Sequence, residues 1–340
     1  MKDIIYKIAN RTTNMNHNVD KSCNWDWGPG VAMFGLVRFY EATGDESIIS
    51  YVKHFIDECI ELAYMRKSVN TTAPAMACFK LYEKYGDERY INICRDYAEF
   101  LMNEASREEN GAIEHSLITR TKVGEVWIDT VFMAGVFLVK AGVVLGNDEY
   151  IKEGLKQFVL HIKILQDENG LFYHAFSHNT NSHMSGCLWG RGNGWFAASV
   201  AEIMKLLSDR EFPAEKDIIL DALNKQMTEL IKFQCHNGMW NTVLTDKDSY
   251  NESSATAAFA YGIFAGVRMG YLDSDLLPVA QKALEAIIAK TGDDGRVYDV
   301  SHGTGVRDTI DEYNLIPKEN IMPWGQGLTL MLLSDKLYGI

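Results

Sequence analysis

Residues 188–195, LWGRGNGW, set one arginine between two tryptophans. A guanidinium fork matches a planar carboxylate, and the indoles of Trp189 and Trp195 suit the flat apolar face of a ring. Glycines 190, 192 and 194 let the backbone approach a ligand closely. The spacing fits capture of an acidic sugar. Arg191 equally suits a helix cap or an ion pair with one of the 46 acidic residues. A second stretch, GEVWIDTVFMAGVFLVKAG (124–142), places one acid, Asp129, at the mouth of an apolar run. A short acid there either caps a helix N-terminus or delivers a proton at the rim of a pocket. A third, FYHAFSHNTNSH, holds His174, His178 and His183. It lacks HExxH and has no Cys or carboxylate at ligand spacing, so neither a metal nor another cofactor is expected. His174 suits a hydrogen bond to a ligand hydroxyl, and His115 occupies the matching place in ENGAIEH. A conventional glycosidase needs two carboxylates. Asp26, Glu125 and Glu252 lie near other helix starts, where each serves equally well as a cap.

These residues need a scaffold, and the chain supplies a helical one. Its 340 residues are 47% hydrophobic with only six prolines, which is enough apolar material for a large core and offers no linker. One domain over 1–340 is expected. The net charge of −13 argues against nucleic acid and anionic membranes as partners, while leaving room for a small acidic ligand at one local arginine. No signal-peptide core and no membrane-length run is present. The cysteines at 23, 59, 78, 94, 187 and 235 form no CxxC and read as small buried residues of a reducing, cytoplasmic protein. Nothing in the composition speaks to oligomeric state.

Periodicity is helical nearly throughout, and two patterns repeat. In ATGDES, KYGDER and VLGNDE an apolar helix ends in Gly, an acidic turn follows, and a more amphipathic helix begins. In ENGAIEH, ENGLFYH, HNGMWNT and DDGRVYD a tight-turn dipeptide sits between short extended segments, starting at residues 109, 168, 236 and 293. The spacings of 59, 68 and 57 resemble one sixth of the chain, so six helical hairpins fit. One helix of each hairpin is apolar all round and its partner keeps a charged face. An all-α (α/α)6 toroid is predicted, with short β-hairpin segments in its loops; an open solenoid scaffold is the alternative. In a ring, the inner-helix starts share one end, and tryptophans 25, 27, 127, 189, 195 and 324 gather there. That favours a sugar pocket.

The ordered set NWDWGPGVAMFGL, VNTTAPAM, VWIDTVFMAGVFLVKAG, NGLFYHAF, LWGRGNGWFAASVAEI and ESSATAAFAYGI resembles the unsaturated glucuronyl and rhamnogalacturonyl hydrolases of glycoside hydrolase families 88 and 105, the rhamnogalacturonyl branch more closely. The resemblance runs from about residue 23 to 335. It implies that Asp129 is the catalytic acid. It implies that Trp189, Arg191, Trp195, His174 and, more weakly, His115 hold an unsaturated uronate. Asn70 falls near the place where some relatives carry a second aspartate. The implied substrate is a lyase-generated oligosaccharide ending in a 4,5-unsaturated uronic acid. Its vinyl ether is hydrated with one aspartate and no nucleophile at the anomeric carbon. An N-acyl-hexosamine epimerase or a conventional inverting glycosidase on the same toroid is the competing expectation.

Overall fold

The computed structural model describes residues 1–17 and 24–339; Cys23 lies outside them. Six helices line the centre: α2 (Trp27–Thr43), α4 (Thr72–Tyr85), α6 (Val136–Leu145), α8 (Gly190–Leu206), α10 (Ser253–Arg268) and α13 (Pro323–Tyr338). Six surround them: α1 (Lys2–Thr13), α3 (Glu46–Cys59), α5 (Glu88–Asn103), α7 (Asp148–Leu165), α9 (Pro213–Leu230) and α11 (Leu277–Ala289). Each inner helix packs on the next, and α13 packs on α2, so the ring closes. This is the (α/α)6 toroid expected, not an open solenoid. The chain begins with an outer helix, however. Five pairs are consecutive hairpins, and the sixth joins α13 to α1 from the opposite end of the sequence.

Local chemistry accounts for the pairs. Gly44, Gly86 and Gly146 take the left-handed conformation that ends an inner helix. Asp45, Asp87 and Asn147 then accept the backbone N–H of Ser47, Arg89 and Glu149 and start the outer one. Outer α5 buries Tyr90, Ile91, Cys94, Tyr97, Ala98 and Leu101, a single stripe. Inner α10 is buried from Ser253 to Gly266 without interruption. Cys59, Cys78, Cys94 and Cys187 are buried and form no disulfide among the described residues. No helix among the described residues is long and apolar enough to cross a membrane.

The Asn-Gly and Asp-Gly turns lock neighbouring units. Gly170 (φ 113°) lies against the backbone of Lys225 on the next outer helix. Gly295 (φ 79°) lies against Lys7 of α1, where an added Cβ would land on the Lys7 carbonyl oxygen. Beside it, the Gln326 side chain bridges the same seam. Its amide nitrogen donates to the Gly295 carbonyl (3.0 Å) and the Thr12 hydroxyl (3.2 Å), and its oxygen accepts from the Val297 N–H (2.8 Å). Gly295→Ala is therefore expected to lose about 2–3 kcal/mol, from backbone strain plus overlap. Thermal unfolding measures it, with Gly146→Ala as the comparison, since no atom lies within 4 Å of a Cβ there.

Two small antiparallel sheets complete the pocket end. β1 (Glu125–Trp127) pairs with β2 (Ala175–Ser177), Trp127 opposite Ala175. β3 (Val300–Ser301) pairs with β4 (Lys318–Glu319) and clasps the segment 302–317, which carries the short helix α12 (Ile310–Asn314).

Candidate active site

The inner-helix starts surround a cavity of about 300 Å³, at the small end of the range for ligand sites. Its walls are Trp27, Asn70, Trp127 and Trp189, with Asp129, His115 and Arg191 between them and residues 302–305 as one rim.

Asp129 is positioned by the β1–β2 pair. The Ile128 N–H donates to the His174 carbonyl (3.0 Å), so the ends of both strands are tied together. His174 Nε2 thereby comes to 3.4 Å from Asp129 Oδ2. No backbone N–H donates to the Asp129 carboxylate among the described residues, and Oδ2 is buried without a hydrogen-bond partner. The cap alternative therefore fails for Asp129. It holds for the other candidates: Asp26 accepts the Trp27 N–H (2.8 Å), and Glu252 accepts the N–H groups of Ser254 and Ala255. Glu125 is occupied by the Trp127 indole N–H (2.7 Å). Asp129 is the sole carboxylate among the described residues lining the cavity. Directly after it, Val131–Gly135 form a π-turn whose Met133 carbonyl accepts the Thr72 hydroxyl (2.7 Å). Such bulges are common beside functional groups, and the apolar run that encodes this one reads as plain helix.

Burial pushes the Asp129 carboxyl upward. The close approach of His174, with the positive charge of Arg191 and that of His174 and His115 when they are protonated, outweighs it, leaving the group below its usual value. Burial lowers His174, and takes His115 down to about 4. Both imidazoles are thus neutral at neutral pH, beside an ionised Asp129.

Arg191, 1% exposed, sits among three indoles, 4.7 Å from the centre of Trp189, 5.4 Å from Trp324 and 5.8 Å from Trp27. The expected fork is already engaged. One terminal nitrogen donates to the Ser301 carbonyl (3.1 Å) and hydroxyl, the other to the His302 carbonyl (3.1 Å) and the Thr304 hydroxyl (3.0 Å). Glu252 lies 3.9 Å away as its buried counter-group. Arg191 therefore holds the 301–304 rim and supplies positive charge through it.

The other site candidates separate. His115 lines the cavity, stacked on Trp127 (4.5 Å, 7°) with Nδ1 3.1 Å from the Thr130 hydroxyl. Asn70 lines it too, and its side chain makes no hydrogen bond among the described residues. His174 and Trp195 do not line it. The resemblance places both on the uronate; here His174 turns both ring nitrogens to protein groups, and Trp195 is fully buried behind Trp27 and Phe132. The three histidines that raised the metal question also part company. His178 lies 3.5 Å from Glu108, and His183 bonds the Ile164 carbonyl. Sequence reasoning missed Leu117 and the rim SHGTG (301–305). The rim carries no periodicity or motif, and what marks it is tertiary: Arg191's four bonds, the Glu252 carboxylate accepting the Ser301 N–H (2.9 Å) and the Trp324 indole N–H on the Ser301 carbonyl (3.2 Å).

A closed toroid with one acid in a tryptophan-walled mouth defines a sugar-active enzyme. Residues 2–338 match the profile of Glycosyl Hydrolase Family 88. The unsaturated rhamnogalacturonyl hydrolase YesR of Bacillus subtilis is 34% identical over 338 residues, covering 98% of this chain and 94% of that protein. A crystal structure described as a possible member of the GH105 family from Salmonella enterica superposes with a TM-score of 0.94 at 30% identity, over 99% of this chain and 93% of that one. The unsaturated glucuronyl hydrolase of Bacillus sp. GL1 shares the fold, with a TM-score of 0.78 at 18% identity, over 100% of this chain and 97% of that one. The chain belongs to glycosyl hydrolase family 88 and is a glycoside hydrolase.

Proposed function

We propose that this enzyme releases the 4,5-unsaturated uronic acid from the non-reducing end of lyase-generated oligosaccharides, of the unsaturated galacturonyl-rhamnose type. The observation that carries this is Asp129 standing alone as an acid in the cavity wall, since a conventional inverting site needs a second carboxylate about 6.5–9.5 Å away. The relatives named above for rhamnogalacturonyl and glucuronyl substrates point the same way.

Asp129 gives its proton to C4 of the vinyl ether, and positive charge develops at C5, shared with the ring oxygen. Water adds at C5 while the Asp129 carboxylate takes one of its protons. The resulting hemiketal opens between C5 and the ring oxygen, and the hemiacetal left at C1 expels the aglycone. Proton out and proton in balance on one residue. Trp127 and Trp189 cover the ring. The N–H groups of Gly303, Thr304 and Gly305 donate to nothing among the described residues, so the rim that Arg191 braces keeps donors for the uronate carboxylate. Asn70 is free to bond a ring hydroxyl.

The test compares two disaccharides that differ only in the double bond. Loss of ultraviolet absorbance with release of the reducing sugar is expected for the unsaturated one, and no turnover for the saturated one. Equal turnover of both would sink the proposal in favour of a conventional glycosidase.

The pH dependence has a definite sign. In the free enzyme Asp129 is lowered, so it loses its proton early as pH rises and kcat/KM falls from that point. A bound carboxylate offsets Arg191 and raises Asp129. The basic limb of kcat should therefore lie about one pH unit above that of kcat/KM. Coincident limbs would show that substrate does not supply the charge.

A further inference from the structure

Tyr313 lies on α12, in a stretch with no catalytic pattern, and is fully buried. Its hydroxyl is 2.7 Å from Nδ1 of His174, 139 residues away in sequence. The group on the far side of the ring sets the direction of that bond: the Asp129 carboxylate faces Nε2 at 3.4 Å and suits a hydrogen there, which leaves Nδ1 to accept the phenol proton. The Arg307 backbone N–H donates to the same phenol oxygen at 3.4 Å and is compatible with that arrangement. A ring nitrogen that accepts carries no hydrogen. The neutral imidazole therefore holds its hydrogen on Nε2, 3.4 Å from Asp129 Oδ2. An ionised carboxylate can only accept, so all three groups agree.

We infer that Tyr313 is a positioning residue of the reaction: it locks His174 in the Nε2–H tautomer, so that the imidazole donates to Asp129 whenever the aspartate has given up its proton. The catalytic half rests on the hydrolase function proposed above, and the tautomer half on the geometry alone. The other titratable groups facing this trio are His115, Glu125 and Arg191 around Asp129 and His174, and Cys187 beside Tyr313. Among the described residues, none of these bonds His174 Nδ1. Without the phenol, the Nδ1–H tautomer opens and a bare Nε2 lone pair faces the carboxylate. That arrangement disfavours the ionised acid and favours the protonated one.

Tyr313→Phe keeps the ring and removes only the donor. Long-range proton–nitrogen spectra of the free protein should show His174 changing from the Nε2–H to the Nδ1–H pattern. On the unsaturated disaccharide, kcat should fall about tenfold, the value of one buried hydrogen bond, with KM within about twofold. The basic limb of kcat should move to higher pH. In a His174→Gln background the Tyr313→Phe change should be silent. Should the Phe variant misfold, 3-fluorotyrosine at 313 keeps the shape, strengthens the donor and should move the limb to lower pH. A His174 that stays Nε2–H in the Phe variant, or an unmoved limb, overturns the inference. If the wild-type enzyme leaves the disaccharide intact, the hydrolase function fails and the catalytic half with it, while the spectra still decide whether Tyr313 sets the tautomer.

Discussion

Asp129→Asn should fold normally and lose turnover by about 10³-fold or more, because general acid–base catalysis at one residue supplies both proton transfers. The amide matches the carboxylate in shape but has no proton of suitable acidity to give and no basic site to take one back. Folding should survive, since the carboxylate caps no helix and accepts no backbone N–H among the described residues. It is also a half-buried acid whose nearest partner, His174, stands 3.4 Å away, so removing its charge should leave the melting temperature unchanged or raise it, as expected where a site trades stability for activity. Substrate affinity should change little. Ultraviolet loss within about tenfold of wild type would assign the acid elsewhere.

Arg191→Lys is the second large effect, and its signature differs. A lysine keeps one positive charge near Glu252 but cannot reproduce the four bonds to Ser301, His302 and Thr304. The rim should loosen, raising KM about tenfold or more while kcat falls less, because binding and not proton transfer is struck first. Arg191→Met removes the charge as well. It leaves Glu252 buried without its counter-group and should cost about 3–5 kcal/mol, the usual result of breaking a buried pair from one side. Thermal unfolding and steady-state kinetics on both variants separate these effects. A lysine variant with wild-type KM would mean that the rim stands without Arg191.

The contrast between these two residues shows how far residue types alone can take a reader. Asp129 and Arg191 are conspicuous in the chain because an acid before an apolar run and an arginine between tryptophans are chemically unusual. The first three hairpins are conspicuous for the same kind of reason: Gly44, Gly86 and Gly146, each followed by a capping residue, mark their reversals locally. What Arg191 grips is written 110 residues downstream in SHGTG, and what orients His174 is written 139 residues downstream at Tyr313. Ser301 lies in a strand of two residues and Tyr313 on a helix of five, elements too short to show a period, so nothing nearby distinguishes them. Trp195 misleads in the opposite direction. Its position beside Arg191 suggests a sugar platform, yet on α8 it falls on the face that packs under Trp27 and Phe132. The π-turn after Asp129 is equally silent, since the hydroxyl that bonds its Met133 carbonyl comes from Thr72 on another helix.

The seam between α1 and α13 has a consequence for how the molecule comes into being. Gln326 contacts the Ile8 carbonyl across 318 residues of chain. During synthesis α1 leaves the ribosome with its apolar face, Ile5, Ile8 and Ala9, and the part of its cover that α13 supplies arrives some 318 residues later. The α1–α13 seam is thus a very long-range contact, the kind that makes folding slow and leaves sticky surface open meanwhile. The nascent chain should depend most on chaperones in the interval between those two helices.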